Sequence, residues 1–176
     1  KRFKNTIIVV WLMAVVLSIL VIPSLKISMN PFNQYSKKHP IVATKDLLKE
    51  KMQFTVFTEL MIDTGKVDGA SDIELLKRVE AFEIAVMKQE NLAQNISIIN
   101  LLKEMNKILN NNDPSKYILP DSSEAIAQYL LLYSLGNNSK IKNFISDDRR
   151  YLKSTAFSVL EQSDLILEQM ARIEAL

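Results

Sequence analysis

The chain has no cysteine, one histidine (His39), one tryptophan (Trp11) and three glycines among 176 residues. Without cysteine there is no disulfide staple, so stability has to come from ordinary packing. A zinc centre is also excluded in its usual forms, because a single imidazole would leave carboxylates to supply nearly every ligand. Gly65, Gly69 and Gly136 match neither glycine-rich nucleotide fingerprint. No serine, cysteine or carboxylate constellation surrounds His39, which reads as a surface residue. No catalytic, cofactor-binding or metal-ligating residue is therefore assigned, no substrate-binding residue is identified, and an enzymatic role is not expected.

An excess of one charge is missing too. Three of the 22 basic side chains (Lys1, Arg2 and Lys4) precede the first apolar segment, and the remaining 19 face 20 acidic ones. The net charge of +2 belongs to that flank, so no basic surface for nucleic acid follows from it.

What the chain does have is one long apolar run, residues 6–25 (TIIVVWLMAVVLSILVIPSL). It reaches the roughly 20 residues that a helix needs to cross a hydrocarbon core about 30 Å thick. The expectation is a cytoplasmic flank and transmembrane helix over residues 1–25, with the basic end in the cytoplasm and the rest across the membrane. A secretory signal peptide is the rival, but no A-x-A-like cleavage site is visible. Trp11 fits either an interfacial anchor or packing against another span. The start at Lys1, without Met, points to a segment of something longer.

Residues 26–50 read as a connector and a short helix, with Pro40 in its first turn and an apolar face of Ile41, Leu47, Leu48 and Met52. Residues 51–176 read as one α+β domain. QFTVFTEL (53–60) alternates like a strand. Ser71 and Glu74 suggest a capping box opening a helix to about Gln89, with Leu75, Val79, Phe82 and Val86 inward and Lys77, Glu80, Glu83 and Lys88 toward water. A short extended piece near Asn95 precedes a helix over 98–109, ended by the Asn-rich run and Asp113-Pro114. A further helix starts at 121–124 and is expected to stop at Gly136. STAFSVLE (154–161) is another strand, and Ser163 caps a last helix with Ile166, Met170 and Ile173 on one face. The helical insertion covers about 98–146. Two β-then-α units ending without the strand that should follow suggest an incomplete sheet.

Three stretches carry a family resemblance: the basic-flanked apolar run, LLKEMNKILNNNDPSKYILP (101–120), and DSSEAIAQYLLLYSLG (121–136) followed by Asp147, Asp148, Arg149, Arg150 and a strand. Together they resemble the RND superfamily of exporters, in the hydrophobe/amphiphile-efflux branch that includes the MMPL-like proteins, at the start of the second half. The resemblance implies an α+β fold with an N-terminal transmembrane helix followed by a partial ferredoxin-like (βαβ) porter subdomain. It also implies part of a proton-motive-force-driven exporter of lipids or other hydrophobic or amphiphilic compounds in a bacterial or archaeal cell membrane, with its main domain periplasmic. Expected partners are membrane lipids, the remainder of the transporter polypeptide, a hydrophobic or lipid substrate and further copies of the chain. No proton-coupling carboxylate carries over, because residues 6–25 contain no acid. The alternative is a single-pass, membrane-anchored extracytoplasmic sensory or ligand-binding domain.

Three further features admit sharper readings. Tyr129, Tyr133 and Leu130 to Leu132 could line a lipid path, but an apolar helical face is more often core. Residues 147–150 could be an ionic latch, though a solvated turn is the plainer reading. Residues 63–72 place three carboxylates near glycines, but they fail the EF-hand spacing.

Overall fold

The computed structural model describes residues 3–22 and 28–176. Lys1 and Arg2 of the basic flank, and Pro23, Leu25 and Lys26 at the far end of the apolar run, lie outside the described residues. Helix α1 spans Lys4–Val21, and Trp11 on it is exposed. The expected transmembrane helix is corrected here: among the described residues, no helix is long and apolar enough to cross a membrane. The reason is length. Within α1, the residues of the apolar run after Lys4, Asn5 and Thr6 are Ile7 to Val21. At 1.5 Å per residue that is about 22 Å, short of a hydrocarbon core of about 30 Å. The cytoplasmic N-terminus, the periplasmic main domain and the assignment to an inner or cell membrane all hung on that span and fall with it.

The remainder is α+β. Helix α2 (Pro40–Met52) has Pro40 at its first position, and the Nδ1 of His39 accepts from the Ile41 amide. The expected apolar face does not pack: no residue of α2 is buried, and Ile41, Leu47 and Met52 are exposed. Lys45 and Lys49 instead tie the helix to Glu161, at 3.4 and 2.9 Å. Strand β1 (Val56–Asp63) begins later than expected because Gln53 ends α2 with φ +58°, a left-handed conformation that no strand accommodates. Helix α3 (Ile73–Met87) is capped by Asp72, whose Oδ1 accepts from the Glu74 and Leu75 amides, and not by the expected Ser71.

Strand β2 (Leu92–Ser97) leads directly into α4 (Ile98–Leu109). Helix α5 (Ser123–Ile141) runs through Gly136 instead of stopping there. Gly136 is not among the positive-φ residues, so it forms no left-handed cap, and Ile141 beyond it is buried in the core. Strand β3 (Tyr151–Ser158) follows, then α6 (Ser163–Glu174). Ser163 was expected to cap α6 but is its first residue, and its Oγ accepts from the Met29 amide at 3.0 Å. On α6, Gln169 and Ile173 are the buried residues, while Met170 is exposed.

The sheet order is β1-β3-β2, with β3 antiparallel to both neighbours. Strands β1 and β2 are therefore parallel to each other, joined through α3, with the later β3 inserted between them. This is the split βαβ arrangement. On β3, Leu152, Ser154, Ala156 and Ser158 all face inward and are buried. The main core joins Leu76 and Val79 of α3, Ile99 and Leu102 of α4, Ile126 and Leu130 of α5 and Leu152 of β3. A smaller cluster gathers Val86, Ala156 and Ile173. The opposite sheet face leaves Phe57, Met61 and Ile96 exposed, with Phe57 opposite Phe157 across the ladder.

Candidate functional site: a buried carboxylate between α3 and α4

Spacing on α3 decides the site. Leu76, Val79, Glu83 and Val86 recur at three, four and three residues and form the buried stripe. Glu83 lies inside it, only 6% exposed, where a water-facing position was expected. The error came from centring the stripe on Leu75 and Phe82, which are half-buried. The signal was legible, because Glu83 lies four residues after Val79 and three before Val86.

The neighbours of Glu83 come from the next two elements. Ser97, at the β2–α4 junction, is the N-cap of α4: its Oγ accepts from the Ile99 amide at 3.1 Å, and the Asn100 Oδ1 accepts from the Ser97 amide at 2.9 Å. The Ser97 hydroxyl has one proton to donate. Glu83 Oε2 at 2.9 Å and Asn100 Oδ1 at 3.2 Å are both within reach, and the shorter, charged acceptor is favoured. Beside it, Ser154 of β3 donates to the Asn95 Oδ1 of β2 at 2.9 Å. The other carboxylate oxygen, Glu83 Oε1, is buried without a hydrogen-bond partner.

Burial raises the Glu83 pKa above the ordinary carboxylate value, and the polar groups of Ser97, Ser154 and Asn95, together with the charge of Lys103, only partly offset this. Glu83 lines a cleft of about 460 Å³ with Glu80, Asn95, Asn100 and Lys103, and with apolar walls from Ile84, Met87 and Ile99. Lys103 pairs with Glu80, so those two charges cancel locally. A second concavity of about 400 Å³ lies between β1 and α3, lined mainly by Ile62, Leu75, Val79 and Phe82. It holds no buried charge. The cleft at Glu83 is the better candidate, because a desolvated titratable group at a concave surface is the usual mark of a working site.

The features singled out in the sequence fall elsewhere. Leu130 is fully buried and Tyr129 Oη donates to Asn106 Oδ1 at 3.0 Å, whereas Leu131 and Leu132 are exposed. Residues 147–150 are more than a solvated turn. Arg150 donates twice to Asp63, at 2.8 Å on each oxygen, and Arg149 reaches Asp68 at 3.3 Å. Backbone bonds run alongside, from the Thr64 amide to the Arg150 carbonyl and from the Ala70 amide to the Arg149 carbonyl. Gly69 is required here, since a Cβ would run into the Thr64 side chain. The carboxylates of Asp63, Asp68 and Asp72 thus each meet a cation, Asp72 through Lys66. Among the described residues, no group of acids or His39 is placed to hold a metal ion.

The chain matches no protein-family model, and neither the curated proteins nor the solved structures contain a match to it.

Proposed function

We propose that the chain contributes a porter-type α+β subdomain to an RND-like exporter of lipids or other hydrophobic or amphiphilic compounds. The proposal concerns β1 to α6 and assigns no membrane span to this chain. One observation carries it: the split βαβ sheet, in which β3 inserts between parallel β1 and β2, follows the ferredoxin-like plan of such porter units through three of its four strands. The segment behind the resemblance, residues 121–136, supports it by forming a capped helix anchored through Leu130.

In this reading the subdomain makes and breaks no bonds. It moves against the remainder of the transporter polypeptide, its nearest partner, and the energy for the movement enters elsewhere.

The full gene product that contains this segment, produced in a bacterial host stripped of its own pumps, should lower retention of the hydrophobic dye Nile red. A Leu130→Asp version at equal abundance should not. Equal retention with wild-type protein and with empty vector would overturn the proposal.

A further inference from the structure

The outer edge of β1 is left unpaired by the fold. The ladder of β3 tells which backbone groups that edge presents. The Lys153 amide donates to the Phe144 carbonyl and the Tyr151 carbonyl accepts from the Ser146 amide, so the odd-numbered residues of β3 bond away from β1. Its even-numbered residues bond to even-numbered residues of β1, as the Arg150 carbonyl does to the Thr64 amide just past the end of the strand. The N–H and C=O groups of Phe57, Glu59 and Met61 therefore point out of the sheet. Among the described residues, no element runs along them.

Strand edges that stay unpaired are interrupted by bulges, prolines or bare charges. The opposite edge, β2, is short and breaks register between Leu92 and Gln94. Strand β1 has none of these devices. It pairs without a break over eight residues and contains no proline. Its two charges are neutralised from β3, Glu59 by Lys153 at 2.9 Å and Asp63 by Arg150 at 2.8 Å. What remains is a self-complementary pattern: Phe57 and Met61, 56% and 76% exposed, stand symmetrically about Glu59 on the outer face. An antiparallel copy centred on Glu59 sets each Phe57 beside the partner's Met61. On the inner face the same register sets Val56 beside the partner's Ile62 and Thr58 beside the partner's Leu60. The concavity between β1 and α3, walled by Ile62, Leu75, Val79 and Phe82, flanks the place where the partner's Val56 arrives. The two Glu59 carboxylates meet at the axis, each beside its own Lys153, so the group of four carries no net charge.

We propose that the outer edge of β1 is an association surface for a second copy of this chain, the two β1 strands pairing antiparallel about a two-fold axis at Glu59. The pairing joins two three-stranded sheets into one continuous sheet. Each β1 then fills, for its partner, the place beside β1 that the fourth strand holds in the ferredoxin-like plan. The inference rests on strand geometry and side-chain pattern and does not depend on the exporter reading.

Sedimentation velocity of the full chain in dilute non-ionic detergent should give a dimer. Met61→Lys, at a largely exposed side chain, should weaken dimerisation about tenfold, the loss of two cross-strand apolar pairs, with an unchanged circular dichroism spectrum. Met61→Pro removes an N–H that the β1–β3 ladder does not use and should abolish the dimer. In the full gene product, freed of cysteine elsewhere, Glu59→Cys should be joined to a second copy by a short bis-maleimide, whereas Lys116→Cys, exposed on the helical insertion, should not. A monomer, a dimer that survives both Met61 changes, or a Glu59→Cys protein left unjoined because another strand of its own polypeptide covers the edge would each overturn the proposal. None of these readouts uses dye retention, so the exporter reading stands or falls separately.

Discussion

Ser97 caps α4 and, through the same hydroxyl, donates to the buried Glu83 carboxylate at 2.9 Å. One side chain thereby links the start of α4 to the inner face of α3. Its removal should cost more than an ordinary cap. For Ser97→Ala we expect a loss of about 1–3 kcal/mol, combining the lost cap with a further unmet acceptor. Urea denaturation of the two proteins measures it, and a loss below the range of a cap alone would refute the link.

Glu83 governs how stability varies with pH. Its folded pKa is raised, so the native state holds the proton more tightly than the unfolded chain does. The sign follows from that. Stability is greatest below the unfolded carboxylate value and falls as pH rises toward the folded pKa. Above that, the charged, buried form is a net burden. Glu83→Gln should be at least as stable as wild type at neutral pH and should lose this part of the pH dependence. Thermal unfolding from acid to neutral pH checks it, and a variant markedly less stable at neutral pH would contradict the assignment.

Asp63 should titrate in the opposite sense. The Arg150 guanidinium, then the Gly65 amide, hold its carboxyl down to about 2. Its contribution is present above the unfolded carboxylate value and disappears as pH falls through about 2. Arg150→Ala should return the Asp63 pKa toward the ordinary value, read from carboxyl chemical shifts. Because the pair is substantially exposed, little change in overall stability is expected.

Leu130 is fully buried in the main core, to which α3, α4, α5 and β3 all contribute. Leu130→Ala should cost about 2–5 kcal/mol through the cavity it leaves, and Leu130→Asp should cost more, since it buries an unpaired charge. Unchanged thermal stability of either variant would refute the burial.

Gly136 separates two descriptions of the same segment. As a helix stop it would need a left-handed backbone, and alanine there would destabilise. Inside a continuous α5, with open space where a Cβ would stand, alanine should stabilise by about 0.5–1 kcal/mol. Chemical denaturation of Gly136→Ala decides between them.

Much of the fold was legible because local patterns carry it. The helix over 98–109 was found to the residue, since Ser97 precedes it and Asn110 ends it. The alternation in 53–60 and 154–161 placed two strands within a few residues, and the outer limits shifted only because the Gln53 turn and the pairing of β3 set them. The candidate site was only partly legible. The spacing of Glu83 from Val79 and Val86 places it on the buried stripe, but its hydrogen-bond partner Ser97 is fourteen residues away and reaches it only when β2 turns into α4.

From the sequence alone came the lack of cysteine, and with it of disulfides, and the alternation of helix and strand, all of which depend on residue type and short-range spacing. The insertion of β3 between β1 and β2, the passage of α5 through Gly136, the pairing of Arg150 with Asp63 and the burial of Glu83 were decided by tertiary structure. Each depends on which distant backbones meet, and the free energy of those meetings is not written in any local window of residues.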